Sequence, residues 1–185
     1  LSSGKIENLN LQHPNLEFVE GDILEYPLVE DLIQGCDAVL HLAAIASVPL
    51  TIAEPIYSMQ VNTQGFLHVL QAIRQSQRRI RLVYASSAAV YGETVPPCRD
   101  DSPIMAPPLS PYALQKAHCE DYAGLYERLH GVASLGLRYF NVYGVRQDPA
   151  SPYSGVISRF IDNYKQDQDL MVFGDGLQSR DFIHV

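Results

Sequence analysis

A tyrosine and a lysine one helical turn apart, in Tyr112-Ala113-Leu114-Gln115-Lys116, are the residues of this chain best suited to chemistry. At that spacing they share one helix face. Upstream, Tyr84-Ala85-Ser86-Ser87-Ala88-Ala89-Val90-Tyr91-Gly92 reads as a strand running into a serine-rich turn. A hydroxyl at a strand end can be aimed at such a face. A phenol activated by an ammonium, with a hydroxyl beside it, suits removing a proton from an alcohol while its carbon gives up a hydride. A free phenol titrates near ~10, too high for a good base at neutral pH. Lys116 is therefore expected to favour the phenolate. Taken alone, such a pair is more often an exposed helix pair; Ser87 favours the chemical reading.

Periodicity predicts the elements that position these groups. Leu16–Glu20 alternates apolar and polar up to Gly21-Asp22 and is expected to be a strand. Leu28, Val29, Leu32 and Ile33 predict a short helix ending before Gly35. Ala38–Ala44 is almost wholly apolar, which predicts a strand buried on both faces. Glu54-Pro55 opens a long helix to Ser76, with Val61, Gly65, Val69 and Ile73 as its stripe. Ile80–Ala85 is the next strand, and Asp101–Pro111 is a Pro-rich surface loop. Ser110 caps a helix with Pro111 at its first position, running to His130 and stopped by Gly131. Val132–Tyr139 is a strand, Asp148–Pro152 a linker, Val156–Lys165 a helix and Leu170–Phe173 a short strand. The chain ends on Asp181–Val185, which reads as a strand cut short, and it begins with Leu1; a fragment open at both ends is expected.

Strands alternating with helices predict an α/β fold with a doubly wound parallel sheet. Ligands of such sheets bind outside the carboxyl ends of the strands. Asp22, Ala43-Ala44, Ser86-Ser87 and Asn141 all fall at expected strand ends.

The 185 residues suffice for a domain with a real core, and 46% hydrophobic with 18% charged residues is a globular composition. A net charge of −8 argues against a generic nucleic-acid or anionic-membrane surface. A phosphate ligand held by a few local donors remains compatible with it. Cys36, Cys98 and Cys119 form no Cys-x-x-Cys pattern, and no signal peptide is visible. Free thiols in a reducing cytoplasm are expected. No apolar run reaches membrane-spanning length. His41 reads as a core histidine, and the other histidines show no metal-ligand spacing, so no metal site is expected.

Several segments resemble, in family order, the extended short-chain dehydrogenase/reductase family in its NAD-dependent epimerase/dehydratase branch. They are Gly21-Asp22-Ile23, His41-Leu42-Ala43-Ala44, Val61 to Gly65, Ser86 to Gly92, Tyr112 to Lys116, Leu137 to Gly144, and Arg180 to Val185. Tyr-x-x-x-Lys alone is weak; the ordered set is specific. Within the branch the chain is most similar to UDP-N-acetylglucosamine/UDP-glucose 4-epimerases, through Ala46-Ser47-Val48-Pro49 and Val145 to Pro149. Related 4,6-dehydratases carry an Asp-Glu pair after the catalytic hydroxyl, and glucuronate decarboxylases place a Glu there. This chain has Ala88-Ala89. Its resemblance therefore implies redox at one sugar carbon, C4, with the hydride returned to the other face.

The resemblance implies a Rossmann-like NAD-binding part over residues 1–145 and the start of a nucleotide-sugar-binding part over 146–185. It assigns catalysis to Tyr112 as base, Lys116 as its activator, and Ser87 holding the 4-oxygen. Asp22 and Ile23 would contact adenine. Leu42, Ala43, Ala44, Ala85 and Ser86 would line the cofactor, Asn62 would brace the active-site helix, and Tyr139 would lie at the nicotinamide. Asn141 and Arg180 would hold the diphosphate of a UDP-sugar, Phe173 would lie by the uracil, and Ser47 by the sugar. Asp22 could instead cap the following turn, Arg180 could be a surface charge, and Phe173 could belong to the core. The family's Gly-x-x-Gly-x-x-Gly loop, which supplies much of the dinucleotide grip, is expected before Leu1. Family members usually form homodimers, with the helices at 54–76 and 110–130 as candidate contacts.

Overall fold

The computed structural model describes residues 4–94, 97–104, 107–151 and 154–185. Leu1–Ser3 of the expected N-terminal tail, Met105 and Ala106 of the Pro-rich loop, and Pro152 of the 148–152 linker lie outside them. The chain forms two compact units, Gly21–Tyr139 and a second made of residues 1–20 with Phe140–Val185. The first twenty residues thus group with the tail, through Lys5–Asp148 at 3.0 Å and Arg146 donating to the Asn8 carbonyl at 3.2 Å.

Residues 21–139 build a parallel three-stranded sheet in the order β1 (Ala38–His41), β2 (Arg81–Ser87), β3 (Ser134–Tyr139). Helices intervene along the chain, as right-handed crossover topology requires of parallel neighbours. Helix α1 (Tyr26–Gln34) packs on α4 (Gly65–Gln75), and α5 (Pro111–His130) packs on α4 and β2. Val29, Ile33, Phe66, Leu70, Ile73, Leu82, Tyr84, Cys119 and Ala123 form the buried core. Alternation on β2 sends Leu82, Tyr84 and Ser86 toward these helices and leaves Val83, Ala85 and Ser87 on the other face. Helix α5 matches its expected bounds. Ser110 Oγ accepts the Ala113 N–H at 3.1 Å, Pro111 opens the first turn, and Gly131 ends the helix at φ 68°.

Four expectations are corrected. Leu16–Glu20 forms no strand. Its alternation has no neighbouring strand to bond, and Leu16 and Val19 stay exposed. Strand β1 stops at His41 instead of Ala44, and it is not buried on both faces: His41 faces the core while Leu40 is 63% exposed. The run from Glu54 to Ser76 is not one helix. It begins earlier, with α2 (Val48–Ala53) capped by Ser47, and continues as α3 (Pro55–Met59), a π-helical turn over Gln60–Gln64, and α4. Pro49 and Pro55 each restart the helix at a first turn, where a missing N–H costs nothing. Leu170–Phe173 is irregular.

In the other unit, β4 (Asn141–Tyr143) pairs in parallel with β5 (Phe182–His184), with Tyr143 stacking edge-on to Phe182 and His184. Helix α6 (Val156–Lys165) forms as expected. Asn141 follows the carboxyl end of β3, as expected, and opens β4.

Candidate active site

The carboxyl end of β2 delivers two adjacent serines in opposite directions. Ser86 is buried, and its Oγ donates to Glu120 Oε1 at 2.5 Å. Ser87 points the other way, and its Oγ accepts the Ala89 N–H at 3.2 Å, opening the 3-10 turn Ala88–Tyr91. The Ser87 hydroxyl lies close enough to the Tyr112 side chain to lower its pKa. Lys116, one turn after Tyr112, is buried and holds its Nζ 5.9 Å from the Tyr112 ring centre. That ammonium donates to the Ala85 carbonyl at 2.7 Å. Ser87, Tyr112 and Lys116 therefore meet, because β2 and α5 pack directly and both serine and tyrosine lie at the ends facing the same side.

Burial dominates their electrostatics. Burial raises the Tyr112 phenol above 10, and the nearby Ser87 hydroxyl offsets this in part. Burial likewise lowers the Lys116 ammonium below its ordinary value. The pair by itself is thus a protonated phenol beside a lysine whose Nζ is held on a backbone carbonyl.

Asn62 sits in the π-helical turn, a local irregularity that recurs at functional sites. Its side chain is 2% exposed, and its Oδ1 accepts the Ile45 N–H at 2.7 Å while Nδ2 donates to the Ile45 carbonyl at 3.0 Å. The loop after β1, carrying Leu42, Ala43 and Ala44, is pinned by these two bonds.

The remaining expected residues divide. Asp22 Oδ1 accepts the Leu24 N–H at 2.9 Å, the turn-capping role open to it from sequence. Ile23 accepts a contact from His68 Nδ1 at 3.0 Å through its carbonyl, and its side chain crowds Gly65, where a Cβ would come within 2.5 Å. Ser47 is buried and its Oγ accepts the Leu50 N–H as the α2 cap. Tyr139 lies in register with Ser87 across β2 and β3. Asn141, Phe173 and Arg180 belong to the other unit. There Asn141 Nδ2 donates to the Asp181 carbonyl at 2.8 Å, Arg180 donates to the Ser179 carbonyl at 2.7 Å, and Phe173 is 77% exposed, so it is not a core residue.

Sequence reading missed the support behind the serines. Arg138 on β3 clasps Glu120 with Nε to Oε1 at 2.9 Å and Nη2 to Oε2 at 2.7 Å, and its guanidinium lies 4.8 Å from the Tyr91 ring centre. A bidentate pair of this kind is geometrically strict. Two signals pointed to it: Glu120 follows Lys116 by one turn on the same face, and an arginine within a predicted strand needs a partner. Tyr91 joins this group. Among the described residues no cluster of His, Cys, Asp or Glu could hold a metal ion, and no helix is long and apolar enough to cross a membrane.

The architecture is that of a Rossmann-like α/β protein with polar and small residues gathered at the carboxyl edge of a parallel sheet. The chain belongs to the NAD dependent epimerase/dehydratase family, whose model matches residues 2–185. Its structure is similar to a UDP-N-acetylglucosamine 4-epimerase from Methanobrevibacter ruminantium M1, solved with UDP-N-acetylmuramic acid. The two share 41% identity at a TM-score of 0.93, over 100% of this chain and 59% of that one. It is also similar to the UDP-glucose 4-epimerase of Thermus thermophilus, solved with NAD. There the identity is 32% at a TM-score of 0.87, over 100% of this chain and 60% of that one. A UDP-N-acetyl-alpha-D-glucosaminuronate decarboxylase from Bacillus cytotoxicus is 34% identical over 174 residues, covering 92% of this chain and 53% of the relative. The chain thus spans little more than half the length of the proteins it matches.

Proposed function

We propose that the protein carrying this chain is a nucleotide-sugar 4-epimerase that inverts C4 of a UDP-hexose, either the UDP-GlcNAc/UDP-GalNAc or the UDP-Glc/UDP-Gal pair. The observation that carries this reading is Ser87 at the end of β2 placed beside Tyr112, followed by Ala88-Ala89 with no carboxylate. Tyr112 takes the proton of the 4-hydroxyl and gives one back when the carbon is reduced. Ser87 holds the 4-oxygen and relays its proton. NAD, when bound, supplies the acceptor and donor of hydride and the positive charge that favours the phenolate.

The donor set fits that cofactor. An ammonium has three N–H donors, and among the described residues Lys116 spends one, on the Ala85 carbonyl. Two are left for the hydroxyls of a ribose. Asp22, Ile23, Leu42 to Ala44, Asn62, Ala85, Ser86 and Tyr139 are the proposed cofactor contacts. Ser47, Asn141, Phe173 and Arg180 are the proposed substrate contacts, the last three in the part that would hold the nucleotide sugar. Self-association through the helical segments 54–76 and 110–130 is the assembly this reading carries.

A second reading, water elimination or decarboxylation of a related sugar, draws support from the decarboxylase relative. It lacks an acid/base pair at residues 88 and 89. The test is to incubate the full-length protein with each UDP-sugar and follow C4 configuration by NMR. Inversion that Tyr112→Phe abolishes at unchanged circular dichroism is expected. The absence of inversion with all four sugars refutes the proposal.

A further inference from the structure

Behind the catalytic face runs a buried chain of amides and hydroxyls. Asn62 Nδ2, besides bonding Ile45, donates to Gln115 Oε1 at 2.7 Å. Gln115 Nε2 donates to Ser58 Oγ at 2.9 Å, and Ser58 Oγ donates to the Pro55 carbonyl at 3.2 Å. Ser58, Asn62 and Gln115 are 0%, 2% and 4% exposed. The directions are fixed. The Ser58 proton is spent on Pro55, so its oxygen can only accept, while the Asn62 amide nitrogen can only donate. A side chain between them must present an acceptor at one atom and a donor at the other, which an amide does and an alkyl chain does not.

This order has a mechanical result. The loop after β1 has no ladder partner past His41, and both main-chain polar groups of Ile45 depend on Asn62. Asn62 in turn is oriented by Gln115, the residue directly before Lys116 and on the same helix as Tyr112. We propose that Gln115 is a positioning residue, locking the loop after β1 to the helix that carries Tyr112 and Lys116 and thereby setting the affinity for NAD. The inference rests on the reading that Ala43 and Ala44 in that loop border the cofactor.

The test compares wild type, Gln115→Met and Gln115→Glu in the full-length protein. Two quantities are read: hydrogen exchange at the Ile45 amide without NAD, and the NAD dissociation constant by calorimetry. Met keeps the length but neither polar atom. Its Ile45 exchange should quicken and its NAD affinity fall, each about tenfold, the cost of an unpaired buried amide. Burial keeps a Glu carboxyl protonated, so it offers the same acceptor and donor, and both readouts should return to within about threefold of wild type. Unchanged Ile45 exchange in Gln115→Met overturns the proposal. So does a fall in unfolding temperature alone, with NAD affinity intact. Should Gln115→Met not fold, Ser58→Ala decides, since it frees the other end of the Gln115 amide. A loss of about threefold in NAD affinity is expected, and unchanged affinity overturns the proposal. If wild type binds NAD but inverts no sugar, the proposed activity fails while these results still judge Gln115; Ile45 exchange judges it even without NAD binding.

Discussion

Acidification should destabilise this fold through one histidine. His41 ends β1 with 7% of its surface exposed, its ring centre 5.5 Å from that of Phe66. Burial, and secondarily the Lys116 charge, lower its pKa from 6.5 to about 4. The unfolded chain takes up a proton below 6.5, whereas the folded chain does so only near 4. Stability from this group is therefore fully present above 6.5 and is lost as the pH falls through that window. At ~1.36 kcal/mol per pH unit, the interval amounts to about 3 kcal/mol, a large part of a typical domain's stability. Urea unfolding at a series of pH values, wild type against His41→Leu, measures it. Wild type should lose about 3 kcal/mol more than the variant between the two limits. Carboxylates such as Asp148, which the Lys5 hydrogen bond holds low, titrate in both proteins and cancel. Parallel pH profiles would refute the reasoning. With His41 in place, Lys116→Met should raise the His41 pKa, read from its imidazole NMR shifts.

The Glu120–Arg138 pair leads to a second expectation. Glu120→Gln strips the counter-charge from a guanidinium that already has Nη1 buried without a hydrogen-bond partner among the described residues. With side chains 21% and 17% exposed, the loss should be about 2–3 kcal/mol in urea unfolding, and Arg138→Met added to it should restore part. Gly136→Ala brings a Cβ within 2.6 Å of the Tyr84 ring, which is held against Phe66 with centres 4.8 Å apart. A loss of about 1–3 kcal/mol in thermal or urea unfolding is expected.

Much of the candidate site was legible because its parts are local. Tyr112 and Lys116 share a face by helical periodicity alone, and the bounds of α5 follow from Ser110, Pro111 and Gly131. Where the prediction failed, the deciding partner was distant. Leu16–Glu20 alternates as a strand does but meets no neighbour to complete its hydrogen bonds. The 54–76 stripe continues at helical spacing, yet the Asn62 side chain is committed to Ile45 and Gln115, and the helix around it takes a π-helical turn.

By itself, the sequence determined the α/β alternation of the central unit, the family, and the residue types able to do chemistry. Each of these is written in short-range spacing and residue type. Only the tertiary structure decided what those residues experience. It directs the Lys116 ammonium to the Ala85 carbonyl and raises the Tyr112 phenol by burial. It also sets Glu120 and Arg138 behind Ser86, and Gln115 behind Asn62. Desolvation and hydrogen-bond direction depend on which atoms close the space around a group, and those atoms come from segments far apart in the chain.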